Sequence, residues 1–506
     1  MDILDSLQLG LATALLPGNL LYCFIGVFLG MVVGVLPGIG ALAAISMLFP
    51  ITFHIEPTPA IIMLAGIYYG TAYGSSIAAI LLNVPGTASS AITCQDGYPM
   101  AKQGRAGVAL FMSAVSSFIA GTIGIVLMIL FSPLIVQAAR EFNSPEYFSL
   151  MVLGLIAAST ISSGSVLRAI AMVVLGILVG TIGMDMYTGI PRFTFGSLEL
   201  MDGISLIALA VGLFGLTEVI DSVRKVQPGQ YFRVAWRDML PTRDDVRRSV
   251  GPTLRGSAVG SFFGALPGTG ATIASFMSYA LERRIAREPE RFGKGAIEGV
   301  VAPEASNNAA DQTAFIPTMT RGIPGSATMA LILGVLIIHG ISPGPRLIAT
   351  NGDLFWGLVV SFWIGNVMLL ILNLPLIGLW VRLLRIPYHL FYPAILMFVV
   401  MGVYAVQRST FEVWVVLCFG LLGYAMRKLD YPAAPMLLGF VLGPLMEEHF
   451  RRALLLSQGD LATFVERPVS GVILLLALTV LVWTSIGAVR RRLRRTSSGL
   501  SASLGD

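Results

Sequence analysis

The feature that most constrains this chain is a succession of apolar segments, each close to the length that crosses a bilayer. A membrane-spanning helix needs about 20 mostly apolar residues. We therefore expect an all-α polytopic membrane protein with about 12 transmembrane segments. The candidate segments are 15–36, 59–83, 106–131, 144–161, 166–184, 204–220, 251–267, 299–317, 326–341, 353–380, 389–405, 411–427, 434–446 and 469–489.

Charged residues are too few to cover a soluble surface. Of the 506 residues, 55% are hydrophobic and 12% charged, whereas soluble domains carry roughly 25% charged residues. Most of the surface must therefore face lipid. The basic residues gather in three stretches, at 221–255, 283–294 and 490–495. In a membrane protein such clusters indicate cytoplasmic loops, and a nucleic-acid interface is the weaker interpretation.

Two Pro-Gly motifs each occur twice, in the same order. Gly34-Val-Leu-Pro-Gly-Ile-Gly40 returns 230 residues later as Gly264-Ala-Leu-Pro-Gly-Thr-Gly270. Val84-Pro-Gly-Thr-Ala88 returns 239 residues later as Ile323-Pro-Gly-Ser-Ala327. The shared order and similar spacing indicate an internal duplication, which is typical of secondary transporters.

The charges of equivalent loops predict that the two repeats are inverted. The loop after the first Leu-Pro-Gly motif, near His54 and Glu56, holds no basic residue, whereas its counterpart at 282–294 holds five. After the second motif the bias reverses, with Lys102 and Arg105 in the first copy and one arginine in the second. Because basic loops face the cytoplasm, the N-terminus is expected outside and the Arg-rich tail inside.

This topology predicts how the chain is divided. Arg451 and Arg452 conflict with it, since they fall on a loop that it places outside, but arginines at a helix end can snorkel to the interface. The predicted parts are a first membrane repeat (1–220), a basic cytoplasmic linker (221–255), a second membrane repeat (256–450), a loop with the last transmembrane helix (451–489) and a basic cytoplasmic tail (490–506).

Each Pro-Gly motif predicts a helix break within the membrane. Proline removes a hydrogen-bond donor and glycine frees the backbone. Since unpaired backbone groups are costly in hydrocarbon, a break is tolerated only inside protein or beside a water-filled cavity. The pieces that follow, 41–53 and 269–281, are too short to span and predict half-helices or re-entrant hairpins. A simple kink is the alternative, but the duplication favours a binding site.

The motifs supply candidate groups for an anionic substrate. The N–H groups at the start of a half-helix can bind an anion, and Ser or Thr after Pro-Gly can cap the helix or bind a carboxylate. Arg321 can pair with a carboxylate or snorkel to an interface. The substrate-binding candidates are Pro37, Gly38, Gly40, Pro85, Gly86, Thr87, Ser89, Pro267, Gly268, Thr269, Gly270, Arg321, Pro324, Gly325 and Ser326.

Segment 299–317 is unusually polar for a membrane helix. Glu304, Asn308 and Asp311 follow at i, i+4 and i+7, on one helical face, and Asn307 adds a second amide. A carboxyl group in mid-bilayer costs on the order of 3 kcal/mol, so these four residues are the candidates for a coupling-cation site. The alternative is a cytoplasmic loop that continues from 282–294. The first-half counterpart offers Tyr68, Tyr69, Thr71, Tyr73, Ser75 and Ser76, which could equally serve helix packing.

Enzymatic and metal chemistry find little support in the sequence. His54, His339, His389 and His449 form no cluster with ligand spacing, and the three cysteines lie far apart. No phosphate-binding loop or zinc-protease motif is present in the sequence. We therefore expect no catalytic residues, no metal site and no cofactor.

The combined motifs resemble a known family. Gly34-Val-Leu-Pro-Gly-Ile-Gly40, Asn83-Val-Pro-Gly-Thr87, Gly264-Ala-Leu-Pro-Gly-Thr-Gly270, Pro303-Glu-Ala-Ser-Asn-Asn308 and Gly322-Ile-Pro-Gly-Ser326 are similar to the large membrane subunit of the tripartite tricarboxylate transporters. The similarity runs from about residue 10 to residue 450.

The resemblance implies secondary transport of organic carboxylates, such as citrate, across the bacterial inner membrane. It also implies symport with Na⁺ or H⁺ and two partners, a periplasmic solute-binding protein and a small integral-membrane subunit. A channel-like or structural membrane subunit is one alternative, and an intramembrane enzyme is another. An enzyme would need a nucleophile–base pair or a metal dyad, which the sequence does not offer.

Overall fold

The computed structural model describes residues 3–36, 40–138, 142–161, 165–185, 187–222, 236–266, 270–344, 347–383 and 391–482. The chain forms two compact units. Unit 1 comprises Met1–Arg140 and Ile207–Tyr424, and unit 2 comprises Glu141–Leu206 and Ala425–Asp506. Each unit thus draws on both halves of the sequence, and the predicted division into two repeats stays a prediction.

The first part of unit 1 is interrupted at both Pro-Gly motifs. Each motif lies between a long helix and a shorter element. The elements are α1 Ile3–Ala14, α2 Pro17–Val35, α3 Ala41–Leu48, a 3₁₀ turn at Phe49–His54, α4 Pro57–Leu82, a 3₁₀ turn at Ala88–Ala91, α5 Cys94–Lys102 and α6 Ala106–Ala138.

The second part of unit 1 contains the same succession of helix, Leu-Pro-Gly, shorter helix, helix and Pro-Gly. A π-helical turn at Val211–Leu216 joins its first two helices. The helices are α9 Leu206–Ala210, α10 Thr217–Ser222, α11 Arg243–Gly264, α12 Gly270–Ile285, α13 Glu298–Thr313, α14 Phe315–Arg321, α15 Ala327–Ile338, α16 Leu347–Thr350, α17 Gly352–Asn373, α18 Ile377–Leu383, α19 Phe391–Gln407 and α20 Thr410–Lys428.

Unit 2 consists of helices and a short antiparallel hairpin, β1 Gly183–Met184 with β2 Pro191–Arg192. Arg192 and Arg451 each form an ion pair with Asp185 at 3.0 Å, and Arg192 also pairs with Glu447 at 3.0 Å. These contacts tie the hairpin to the last long helix of the unit. The helices are α7 Ser144–Ile161, α8 Val166–Gly180, α21 Ala433–Leu456, α22 Thr463–Glu466 and α23 Pro468–Val482.

Glycines every fourth residue set the closest helix contacts of unit 1. A Cβ at Gly26, Gly30 or Gly34 of α2 would lie 2.2–2.6 Å from a carbonyl oxygen of α4. In the second part, a Cβ at Gly256, Gly260 or Gly264 of α11 would lie 2.1–2.4 Å from a carbonyl oxygen of α13. Small residues let membrane helices approach at backbone distance. The pairs α2–α4 and α11–α13 are thus built in the same way, with the same 230-residue offset as the Leu-Pro-Gly motifs.

Most predicted segments coincide with helices, although their lengths differ. Among the described residues, five helices are long and apolar enough to cross a membrane, and shorter apolar helices account for several others. The chain is therefore an all-α membrane protein, while the count of about 12 spans and the inverted orientation stay predictions. The five long helices are Pro17–Val35, Pro57–Leu82, Ala106–Phe131, Gly352–Asn373 and Thr410–Lys428.

The polar segment and several helix boundaries can be compared directly with the sequence predictions. Segment 299–317 is helical, as predicted, and the alternative of a cytoplasmic loop is wrong, because α13 is helical and its residues from Gly299 to Thr313 are all buried. Helix α11 begins at Arg243, inside the stretch predicted as the basic linker. Helices α1 and α5 were not predicted, since one is short and the other is polar. The basic tail 490–506 lies outside the described residues.

Candidate functional site

The Leu-Pro-Gly motifs separate two helices in each half of unit 1. Helix α2 ends at Val35, and α3 begins after Gly40, whose backbone is extended. Helix α11 ends at Gly264, and α12 begins at Gly270, whose φ of 61° is left-handed and favours glycine. The predicted site residues Pro37, Gly38, Pro267, Gly268 and Thr269 lie outside the described residues.

The second Pro-Gly motifs share one backbone design. Each follows a left-handed residue that ends a helix, Asn83 with φ 57° after α4 and Gly322 with φ 68° after α14. Each is followed by a hydroxyl residue that caps the next helical turn. Thr87 forms a capping box with Ser90, and the Ser326 hydroxyl accepts from the Met329 N–H at 3.2 Å. The hydroxyl groups of Thr87 and Ser326 thus cap helices, which is one of the two roles that the sequence predicted, the other being carboxylate binding.

The two motifs of each half lie side by side. A Cβ at Gly86 would lie 2.3 Å from the carbonyl oxygen of Gly34, so only glycine fits where the second motif meets the end of α2. In the other half, a Cβ at Gly325 would lie 3.7 Å from the Gly264 carbonyl oxygen. Pro85 is partly exposed and Pro324 is buried. Both helix breaks of a half therefore contribute to one local region.

A small hydroxyl cluster surrounds the first-half motif. The Thr87 hydroxyl donates to Ser75 Oγ at 3.1 Å and lies 3.0 Å from Ser89 Oγ. Ser75 belongs to the buried helix α4, and Ser89 to the 3₁₀ turn after the motif. Hydroxyl groups arranged in this way can donate to an anion or share their oxygens with a cation.

Glu304 lies at the centre of the contact between α13 and the first half. It is 1% exposed. Its carboxyl group accepts from the Ser76 hydroxyl at 2.5 Å and from the Thr93 hydroxyl at 2.6 Å. Ser76 lies on α4 and Thr93 lies just before α5, so residues before and after the first-half Pro-Gly motif converge on one carboxyl group of the second half.

The remaining polar residues of α13 leave several polar atoms without a partner. The Asn308 amide nitrogen donates to Ser117 Oγ at 2.8 Å and to the Glu304 carbonyl at 3.0 Å, which orients its oxygen away from both. Within the described part of the chain, Asn308 Oδ1, both side-chain polar atoms of Asn307 and of Gln312, and Ser306 Oγ have no hydrogen-bond partner. Buried polar atoms are normally paired, so this cluster indicates a ligand site.

Asp311 and Tyr68 extend this polar face toward the second-half motif. The Tyr68 hydroxyl interacts with the Asp311 carboxyl group and also with Ser326, the residue directly after Pro324-Gly325. Asp311 is 4% exposed. The face from Glu304 to Asp311 therefore runs between the two second motifs of unit 1.

Arg321 stands apart from this buried face. It ends α14, directly before the second-half motif, and its side chain is exposed. Its two sequence interpretations, pairing with a carboxylate and snorkelling to an interface, both stay predictions. No group of three or more His, Cys, Asp or Glu side chains among the described residues has the geometry of a metal site.

Three residues of the site region could not be read from its motifs. Thr93 and Ser117 contact Glu304 and Asn308 across 211 and 191 residues of sequence. Asp96 accepts from the loop that precedes α13. Asp96 lies in the polar stretch Cys94–Lys102, where one more acidic residue does not stand out, and Thr93 and Ser117 are ordinary hydroxyl residues.

Broken helices that adjoin a buried polar helix are typical of membrane transport proteins. Comparison with known families gives the more specific assignment. The chain matches the model described as "Tripartite tricarboxylate transporter TctA family" over residues 20–438, and it belongs to that family. The resemblance inferred from the motifs is thus confirmed, and the chain is a membrane component of a tripartite transporter.

Two curated relatives come from Agrobacterium vitis. One is named "uncharacterized 52.8 kDa protein in TAR-I ttuC' 3'region"; it is 48% identical over 492 residues, which cover 97% of this chain and 98% of the relative. The other is named "uncharacterized protein in TAR-II ttuC' 3'region"; it is 48% identical over 233 residues, which cover 46% of this chain and 96% of the relative. No solved structure matches.

Proposed function

We propose that this chain is the translocation subunit of a cation-coupled carboxylate transporter in the bacterial inner membrane. It would work with a periplasmic solute-binding protein and a small integral-membrane subunit, as the family assignment suggests. The observation that carries the proposal is a set of buried amide atoms on α13, beside two carboxyl groups, that have no hydrogen-bond partner among the described residues. Burying such atoms without a partner costs free energy unless a bound ligand contacts them.

The coupling cation would bind on the face formed by Glu304, Asn307, Asn308 and Asp311. The Asn308 oxygen suits this role, since its nitrogen is held by Ser117 and the Glu304 carbonyl. Amide and carboxylate oxygens are hard ligands suited to Na⁺, and a carboxyl group can alternatively carry a proton. The four residues thus serve either coupling ion, Na⁺ or H⁺.

The carboxylate substrate would bind at the Pro-Gly motifs. Their contribution is the N–H groups of the half-helices and the hydroxyl groups around Thr87. The interaction of Tyr68 with both Asp311 and Ser326 would link cation binding to substrate binding. The inverted relation of the repeats would let the same groups face alternate sides of the membrane.

Counterflow in proteoliposomes that hold the whole complex tests this function. The substrate is chosen first, by thermal shift of the partner binding protein with a panel of carboxylates that starts with citrate. A transporter loaded with unlabelled substrate will accumulate labelled substrate transiently, and an imposed Na⁺ or H⁺ gradient will drive uptake. A channel gives no such exchange, so its absence together with ion-independent flux would favour the channel alternative.

A further inference from the structure

Asp96 is a fully buried carboxylate that the transport site as described so far does not use. Its Oδ1 accepts from three backbone N–H groups, those of Gly293 at 2.9 Å, Gly295 at 2.9 Å and Ala296 at 2.8 Å. Its Oδ2 accepts from the Tyr279 hydroxyl at 2.9 Å. Both oxygens are therefore fixed by groups of the second half.

These partners lie at the start of the polar helix. Gly293, Gly295 and Ala296 directly precede α13, which begins at Glu298. Gly293 and Gly295 have φ values of 81° and 101°, which turn successive N–H groups toward one point. A negative charge at this end of a helix is stabilised by the helix dipole. Asp96 thus supplies, from the first half, the anion that caps α13.

The close fit around Asp96 fixes the position of α13. A Cβ at Gly299 would lie 2.2 Å from Asp96 Oδ2, so the first turn of α13 packs directly on the carboxylate. Hydrogen bonds to a charged group are roughly twice as strong as those between neutral groups. A shift of α13 along its axis would break several of them together.

The same helical turn that carries Asp96 also contacts the cation face. The Gly97 N–H donates to the Thr93 carbonyl at 2.8 Å, which makes residues 93–97 one turn at the start of α5. Thr93 on this turn donates to Glu304 at 2.6 Å. One rigid turn of the first half therefore holds α13 at its beginning through Asp96 and about 12 Å further along through Thr93, since an α-helix rises 1.5 Å per residue.

We propose that Asp96 is a positioning residue for ion coupling. It holds α13 in the register at which Thr93 and Ser76 reach Glu304 and at which the Asn307 and Asn308 amides face the cation. This inference rests on the proposed function for the site that Asp96 positions. It assigns to Asp96 no contact with the cation or the substrate.

The test compares Asp96→Asn and Tyr279→Phe with a matched control, Asp245→Asn. Asp245 is also a buried carboxylate at a helix start, where it forms the capping box of α11 with Thr242 and pairs with Arg105. Two readouts are measured on the whole complex in proteoliposomes. One is hydrogen–deuterium exchange of the peptides that cover 286–304. The other is the half-saturating concentration of the driving cation for uptake of the carboxylate that the thermal-shift panel selects.

We expect the Asp96 and Asp245 variants to differ in both readouts. Asp96→Asn speeds exchange at 293–304 on the order of tenfold and raises the half-saturating cation concentration about tenfold, as loss of outer support for ion ligands does. Tyr279→Phe gives smaller changes in the same direction. Asp245→Asn lowers thermal stability and leaves both readouts at the wild-type value.

Two results would overturn the inference. One is unchanged exchange at 293–304 in Asp96→Asn, and the other is an equal shift of cation dependence in Asp96→Asn and Asp245→Asn, which would show a merely structural effect. Failure of the proposed function is distinguishable, because the wild-type complex would then show no ion-driven uptake while the exchange readout still decides whether Asp96 holds α13.

Discussion

The Glu304 carboxyl group accepts from Ser76 at 2.5 Å and from Thr93 at 2.6 Å, two residues that flank the first-half Pro-Gly motif. A carboxyl group on the second-half helix α13 is thereby tied to the break between α4 and α5. A change in either element must alter the surroundings of the other. Glu304 is thus one of the points, with Asp96 and Asn308, at which the two halves are hydrogen-bonded to each other.

Neutralising Glu304 is expected to uncouple transport. Glu304→Gln keeps the size of the side chain but removes the charge. In the wild type each carboxyl oxygen accepts from a hydroxyl group, so the glutamine NH₂ group would place a donor against one of these hydroxyl donors. We expect ion-driven uptake to fall at least about tenfold, the effect of losing an intramembrane carboxylate at an ion site. Uptake is measured at equal protein level in the membrane. The exposed Glu290→Gln is the control, and equal uptake by the two variants would contradict this role.

The glycine contacts between α2 and α4 predict that alanine substitutions at two glycines of α2 have opposite or very different effects on stability. Gly26→Ala places a methyl group 2.2 Å from the Met63 carbonyl oxygen, whereas nothing lies within 4 Å of a Cβ at Gly18. Overpacking typically costs about 1–3 kcal/mol, while alanine is otherwise the better helix former by about 1 kcal/mol. We expect Gly26→Ala to lower the Tm of the purified complex by several degrees and Gly18→Ala to leave it unchanged or raise it. Equal Tm values would show that α2 and α4 are not packed this closely.

Asp185 predicts a pH dependence of stability in unit 2. The Tyr187 backbone N–H, followed by that of Thr188 and the Arg451 and Arg192 guanidinium groups, holds the pKa of Asp185 below its ordinary value. A depressed pKa contributes stability above the ordinary aspartate pKa of about 3.9, and this contribution is lost as the pH falls through the folded-state value.

The measurement is the Tm difference between wild type and Asp185→Asn. We expect wild type to have the higher Tm at pH 7 and the difference to shrink below about pH 4, the ordinary aspartate value, as the pH falls toward the lower pKa of the folded carboxylate. The exposed Asp202→Asn serves as the control. A difference that stays constant from pH 7 to pH 3 would mean that the charge of Asp185 does not stabilise the hairpin.

The inverted topology predicts on which side the 282–294 loop lies. Glu288 is exposed in this loop, and the five basic residues around it indicate the cytoplasm. A Glu288→Cys variant, with Cys23, Cys94 and Cys418 replaced, should be labelled by a membrane-impermeant thiol reagent only after the cells are opened. Labelling in intact spheroplasts would overturn the inverted arrangement.

The sequence predicted the helices and their breaks because these depend on local properties. Apolar length gave α2, α4 and α7 nearly to the residue, and the repeated Pro-Gly motifs gave the breaks after Val35 and Gly264. The polarity of Glu304, Asn308 and Asp311 at helical spacing gave the polar face of α13. Each of these features can be read within a window of about 20 residues.

The partners of those residues could not be predicted in the same way. Thr93 and Ser117 are ordinary hydroxyl residues whose role depends on how distant helices pack. Helix α5 was missed because the polar stretch from Cys94 to Lys102 lacks an apolar length that would mark it. The close packing of α2 on α4 and of α11 on α13 could have been predicted, since glycines at every fourth position of α2 recur 230 residues later in α11.

Ion-driven uptake by Asn308→Ala and Asp311→Ala tests the central claim most directly. Both residues are buried on the α13 face, and the Asn308 side-chain oxygen has no hydrogen-bond partner in the part of the chain that the structure describes. The variants are compared in proteoliposomes at matched protein level with Asn351→Ala and Asp353→Ala, which lie at the start of α17. We predict that both α13 variants lose ion-driven accumulation while both controls retain it. Wild-type accumulation in Asn308→Ala and in Asp311→Ala would show that the polar face of α13 is not the coupling site.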